Sequence, residues 1–222
     1  HDVGEIDGQH FITMAFIEGR PLRDFTKSSK RQEGKQVARG IRKVAMAMAE
    51  AHEHNVIHRD LKPANIMIDL KNEPVVMDFG LARRSTEGEE RLTHTGTVIG
   101  TPAYMSPEQV EGDNVNVGPA ADIYSLGVIF YELLTGRLPF QGNLMSILRQ
   151  ISMNDPQPPV ELHSDIDLTL QALCLRMLAK KPADRPASME QVAQELSDWL
   201  QGRHAPTDES GLLETSRVPD QQ

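Results

Sequence analysis

The chain of 222 residues is 39% hydrophobic and 25% charged, the make-up of an ordinary globular domain, which excludes fibrous and wholly disordered architectures. Asp and Glu (32) outnumber Lys and Arg (23) for a net charge of −9, which argues against a surface built to hold nucleic acid or anionic lipid. Cys174 is the only cysteine, so no intrachain disulfide can form; no apolar run approaches the roughly 18 residues a bilayer span requires, and a reducing, cytoplasmic setting is expected.

The run from Phe11 to Ile17 lies between Asp7-Gly8 and Gly19, with the length and punctuation of a single strand. From Gly34 to about His54 the apolar residues Val37, Ile41, Val44, Ala45 and Met48 recur at helical spacing and predict an amphipathic helix. Asn65 to Ile68 and Pro74 to Met77 are short β-rich runs separated by polar residues, the pattern of a hairpin. Residues 80–119 show no sustained periodicity, and so long a stretch inside a domain is usually functional or mobile. The run Ala120 to Thr135 is apolar on nearly all sides and closed by Gly136, which predicts a buried core helix. Three further helices are expected around Leu144 to Ile151, Ile166 to Leu178 and Val192 to Leu200, the last opened by a capping box of Ser188 and Gln191. After Gly202 the chain is polar and unpatterned, and a disordered tail is expected.

The chemistry concentrates in His58 to Asn65, HRDLKPAN. An Asp and an Asn with four residues between them, and a Lys two after the Asp, are groups that phosphoryl transfer needs together. The carboxylate accepts a hydroxyl proton, the ammonium neutralises phosphate and the amide oxygen holds a metal. Thirteen residues after Asn65 comes Asp78-Phe79-Gly80, where a second carboxylate follows a strand and a Gly permits a sharp change of direction. Farther on stands the segment Gly100 to Glu108, GTPAYMSPE. His52, His54 and His58 match no supported zinc spacing.

These motifs, in this order, resemble those of eukaryotic-type protein kinases, with SPE where the family often has APE. Lys62 and Gly100-Thr101 resemble Ser/Thr rather than Tyr kinases, and the segment Tyr104 to Gln109 is similar to bacterial Ser/Thr kinases. The resemblance runs from about His1 to Leu200 and implies an α+β kinase-like fold, here mainly the helical C-terminal lobe. The expected divisions are 1–19 (last strands of the N-terminal lobe and hinge), 20–201 (C-terminal lobe) and 202–222 (tail). Carried over by position, the resemblance makes Asp60 the catalytic base and Lys62 a contact to the transferred phosphoryl group, with Asn65 and Asp78 as magnesium ligands. Thr101 would partner Asp60 and Lys62, Glu108 would pair with Arg185, and Asp122 would brace the backbone around His58 and Arg59. Phe11 to Ala15 would be the last strand of the N-terminal lobe, with Met14 behind the adenine pocket, Ile17 in the hinge and Met67 on the pocket floor. ATP and Mg2+ are the implied cofactors. Proteins bearing Ser or Thr are the implied substrates, with self-association or autophosphorylation as a further expectation.

An Arg before the catalytic Asp often accompanies control by activation-loop phosphorylation in this family. Thr93, Thr95 and Thr97 lie upstream of Gly100, so phosphorylated Thr93 or Thr95 is expected to be held by Arg59 and Arg83. The bland alternative is that these are ordinary loop threonines. A working kinase also needs a Gly-rich loop, a strand Lys and a helix Glu, and none of the three is found in the sequence. This polypeptide alone is therefore expected to bind ATP weakly and turn over negligibly. A non-catalytic docking module built on the helical lobe is the competing reading.

Overall fold

The two strongest apolar patterns in the sequence become the two longest helices. The structure, a computed structural model, describes residues 3–6, 9–13, 15–26, 31–79, 102–112 and 117–203. In chain order the elements are β1 (Val3–Ile6), β2 (Gln9–Ile12), β3 (Gly19–Pro21), α1 (Arg23–Thr26), α2 (Gly34–Glu53), a 3-10 turn (Pro63–Asn65), β4 (Ile66–Asp69) and β5 (Pro74–Val76). A second 3-10 turn (Pro102–Tyr104) leads to α3 (Pro107–Val110), α4 (Pro119–Thr135), α5 (Leu144–Met153), α6 (Pro159–Leu162), α7 (Leu168–Met177), a third 3-10 turn (Pro182–Asp184) and α8 (Met189–Leu200). Short antiparallel sheets beside a body of helices make this the expected α+β class.

Helix α2 buries Val37, Ala38, Ile41, Val44, Ala45 and Met48, the expected stripe, and packs chiefly on α8, then on α4 and β5. Helix α4 is buried on almost every side, and Ile123, Leu126, Ile129, Phe130 and Leu134 are all within 1% of full burial. It ends at Gly136, whose φ of 75° is the left-handed turn glycine adopts without strain, and the Gly136 N–H donates to the Glu132 carbonyl at 2.8 Å. Helix α7 crosses α4 at Gly127, where a Cβ would lie 2.8 Å from the Met177 Cβ.

The β4/β5 hairpin forms as expected, in the register Ile66↔Val76, Met67↔Val75 and Ile68↔Pro74. It gains a third strand, β3, paired with β4 as Gly19↔Asp69, Arg20↔Ile68 and Pro21↔Met67. A Cβ on Gly19 would come within 2.2 Å of the Ile68 carbonyl oxygen, so the two backbones meet there only because the residue is glycine.

Three expectations are corrected. The strand expected over Phe11 to Ile17 is Gln9–Ile12: its partner β1 supplies only four residues, so the ladder ends at the Val3↔Ile12 position and Thr13 and residues 15–18 lie outside any strand. The helix expected from Ile166 begins at Leu168, because the Asp167 side chain accepts the N–H groups of Thr169 (2.8 Å) and Leu170 (3.2 Å) and caps it there. The capping box of α8 closes on one side only: Ser188 accepts from the Gln191 N–H at 3.2 Å, but the Gln191 carboxamide turns to the Ala187 N–H at 2.8 Å. Met14, Gly80, Arg83, Thr93, Thr95, Thr97, Gly100, Thr101 and the tail from 204 lie outside the described residues.

Packing at the α4/α7 crossing yields a direct test. Gly127→Val inserts branched carbon against Met177 and Leu178 and should cost about 2 kcal/mol or more, as overpacking of a filled core does. Thermal unfolding followed by circular dichroism should register a midpoint lower by several degrees.

Candidate active site

The loop from Val56 to Lys62 leaves α2 and has little regular structure of its own, so its shape comes from partners elsewhere. The main one is Asp122, fully buried in the first turn of α4. Its Oδ2 accepts the His58 N–H at 2.9 Å and its Oδ1 the Arg59 N–H at 2.8 Å. The His52 Nε2 is also 2.9 Å from Oδ2. The bracing expected of Asp122 is in place, and His52 is an additional partner.

Two non-glycine residues of the site adopt left-handed backbone, Arg59 at φ 64° and Asp78 at φ 62°. Such conformations cost on the order of 1–3 kcal/mol each and persist only where the surroundings impose them. At Arg59 both ends of the residue are tied: its N–H to Asp122, and its carbonyl to the Gln109 Nε2 at 2.6 Å.

His58 is 1% exposed and joins the two halves of the site. Its Nδ1 accepts the Asp60 N–H at 3.3 Å and its Nε2 donates to the Met77 carbonyl at 2.9 Å, which fixes the Nε2–H tautomer. The Met77 N–H in turn donates to the Asn65 carbonyl at 2.8 Å. Asn65 and the residue before Asp78 are thus one hydrogen bond apart. The Phe79 ring lies on His58 with centroids 5.1 Å apart and a 53° tilt.

Asp60, Lys62 and Asn65 converge. The Lys62 Nζ donates to Asp60 Oδ2 at 2.7 Å, and the Asn65 Nδ2 donates to the Asp60 carbonyl at 2.8 Å. The side chain of Asp60 is 49% exposed, so its carboxylate is open to a substrate hydroxyl. Because Asn65 spends its Nδ2 on Asp60, its Oδ1 has no partner among the described residues and is available as a hard oxygen ligand. Met67 is partly buried in β4, opposite Pro21 and Val75, and Ile17 is partly buried in the connection to β3. The three histidines serve three partners, with the His54 Nδ1 on the Glu50 carbonyl at 2.9 Å, so they do not gather as a metal site.

On the far side of the loop the Glu108–Arg185 pair is formed. Arg185, whose side chain has no exposed surface, makes a two-pronged contact to Glu108 with both bonds at 2.8 Å. Its remaining donors reach the carbonyls of Ala179 (2.8 Å), Ala120 (2.8 Å) and Lys180 (2.9 Å), and its plane lies over Tyr124 at 5.1 Å. Burial pushes the Glu108 carboxyl up, but the hydrogen bonds from Arg185 and its other donors outweigh this and hold it below its ordinary value. The turn at Pro102–Tyr104 is fixed to α4 by Ser125 Oγ donating to the Tyr104 carbonyl at 2.8 Å and by the Tyr104 hydroxyl donating to Glu132 at 2.7 Å.

The described residues thus set a loop carboxylate beside a lysine and an asparagine, with a second carboxylate after a hairpin, on a helical body. Residues 2–197 match the protein kinase domain, and the chain belongs to the protein kinase family. It is 36% identical over 98% of its length to the serine/threonine-protein kinase PknB of Mycolicibacterium smegmatis, covering 35% of that protein. It is 40% identical over 79% of its length to PknB of Mycobacterium tuberculosis, and 40% identical over 86% to pkn3 of Myxococcus xanthus, covering 28% and 36% of those proteins. The chain therefore spans about a third of the length of these curated relatives. Bacterial serine/threonine kinases are its relatives, and the described fold is kinase-like, mainly the helical C-terminal lobe. No helix among the described residues is long and apolar enough to cross a membrane.

Spacing in the sequence pointed to Asp60, Lys62, Asn65 and Asp78, and the family resemblance alone to Glu108, Asp122 and Arg185. Neither route found the contact of Gln109 or of His52, which reach partners 50 and 70 residues away in the chain.

Because Arg185 is fully enclosed, Arg185→Ala should leave Glu108 unpaired and cost about 3–5 kcal/mol. With a folded value below its ordinary 4.5, Glu108 contributes stability above that pH and loses it as pH falls through the depressed value. Urea unfolding from pH 6 to 3 should therefore show a steeper acid loss in the wild type than in Glu108→Gln.

Proposed function

We propose that the protein is the catalytic part of a protein serine/threonine kinase that moves the γ-phosphoryl group of ATP to Ser or Thr hydroxyls. The observation that carries this reading is the convergence of Asp60, Lys62 and Asn65, with Asn65 one backbone hydrogen bond from Met77 and so beside Asp78. Asp60 accepts the hydroxyl proton through its exposed carboxylate. Lys62, 2.7 Å from that carboxylate, holds it in place and presents positive charge where phosphate charge develops. The free Oδ1 of Asn65 and the carboxylate of Asp78 are two hard oxygens, a set that suits Mg2+ bound jointly with phosphate oxygens. When bound, the metal neutralises phosphate charge and orients the nucleotide. The partly buried Ile17 and Met67 belong to the adenine side of the cleft in this reading.

Residues 1–19 are read as the hinge and last strands of the N-terminal lobe, 20–201 as the C-terminal lobe and 202–222 as a tail. The 222-residue polypeptide by itself, with no Gly-rich loop or strand Lys in its sequence, is read as nearly inactive. The site is read as cytoplasmic in the cell. Activation is assigned to phosphorylation of Thr93 or Thr95, held by Arg59 and Arg83. In support, the Arg59 guanidinium has no partner among the described residues.

In the full-length protein, Asp60→Asn should lower kcat for Mg2+-dependent phosphorylation of a Ser/Thr peptide by on the order of 10²–10⁴-fold with an unchanged melting point. Undiminished transfer would overturn the assignment, and a wild type without any transfer would favour a docking module. Mass mapping of active enzyme should find phosphate on Thr93 or Thr95; unmodified threonines would sink the activation reading.

A further inference from the structure

The carboxamide of Gln109 is placed where two segments 50 residues apart meet. Gln109 stands at the third position of α3, a short helix whose N-cap is Ser106. Its Oε1 accepts from the Ser106 N–H at 3.0 Å and from the Ser106 hydroxyl at 3.2 Å, which is ordinary N-terminal capping. A Glu there would cap the helix equally well. Its Nε2 does something a Glu side chain cannot do when ionised: it donates to the Arg59 carbonyl at 2.6 Å.

That carbonyl begins the peptide unit of Asp60, the proposed base. Arg59 is in left-handed backbone at φ 64°, with its N–H held by Asp122 at 2.8 Å. Asp122 fixes one end of the residue, and Gln109 fixes the other. The peptide that joins Arg59 to Asp60 is thus held at its carbonyl by Gln109 and at its N–H by His58 Nδ1 at 3.3 Å, and it leads directly to the Asp60 side chain that meets Lys62.

We propose that Gln109 is a positioning residue for phosphotransfer: its amide hydrogen bonds the Arg59 carbonyl and orients the peptide that presents Asp60, so that the stretch after the SPE motif is wired directly to the catalytic loop. This rests on the kinase reading above. It further requires a neutral donor at 109 rather than a helix-favouring side chain in general.

The test uses Gln109→Glu in the full-length protein, which keeps the cap and removes the donor, with Gln109→Ala as the variant that removes both. At pH 8 the introduced carboxylate still caps α3 but faces the Arg59 carbonyl oxygen, and kcat for a Ser/Thr peptide should fall about tenfold, the loss of one positioned hydrogen bond, with KM for peptide and ATP within about twofold. Gln109→Ala should show a similar kcat deficit together with a lower melting point, so that the loss of kcat follows the missing donor and not the missing cap. A Gln109→Glu kcat within twofold of wild type, or a deficit confined to Gln109→Ala, overturns the proposal. Should the wild type transfer no phosphate, the kinase reading fails separately. Amide hydrogen exchange of the 57–65 segment at pH 8 then decides the clamp: faster exchange in Gln109→Glu than in wild type supports it, and identical exchange overturns it.

Discussion

One buried carboxylate organises the site. Asp122 has no exposed surface, and a carboxylate in that position is tolerated only because donors converge on it from His52, His58 and Arg59. It sits in the first turn of α4, where the helix dipole favours negative charge, and bonds to a carboxylate are among the stronger ones available to backbone amides. The best-packed helix of the molecule therefore supplies the anchor for a loop with almost no regular structure. The left-handed backbone at Arg59 is held by the most regular element in the fold.

From that anchor the order of dependence runs outward. Asp122 fixes the His58 and Arg59 amides; His58 then grips Met77 through its imidazole; Met77 grips Asn65; Asn65 returns to the Asp60 carbonyl. The circuit closes on itself. Asn65 and Asp78, the two residues proposed as metal ligands, lie on either side of the β4/β5 hairpin, and the hairpin register decides their spacing. A slip of one residue would turn every hairpin side chain to the other face and separate them.

Much of this was legible in the sequence because it is written locally. The helical stripe of α2, the all-round apolar run of α4 and its closing Gly136 each follow from spacing and backbone preference. The site residues were readable because the kinase motifs are short and contiguous, and the Glu108–Arg185 and Asp122 contacts followed from the family resemblance rather than from the spacing of the residues themselves. What escaped is what depends on distant partners. Strand β3 has three residues and exists only because Gly19 lets it approach Ile68, and β2 stops where β1 runs out. The Gln191 carboxamide chose the Ala187 amide over the one next to it, a preference decided by local geometry rather than residue type. The contacts of His52 with Asp122 and of Gln109 with Arg59 carry no signal in their own neighbourhoods.

The Arg185 guanidinium has five N–H groups, and five acceptors meet them: two Glu108 oxygens and the carbonyls of Ala120, Ala179 and Lys180. These acceptors come from α3, from α4 and from the turn after α7, up to 77 residues away in the chain. A guanidinium enclosed with some of its acceptors missing is worse placed than one left in water, so partial assembly of this part of the lobe is penalised. The consequence is cooperativity in folding. The segments around Arg185 gain little by docking one at a time, and the lobe closes there as a unit or stays open, which also explains why a lysine, with three donors on a flexible stem, is no substitute.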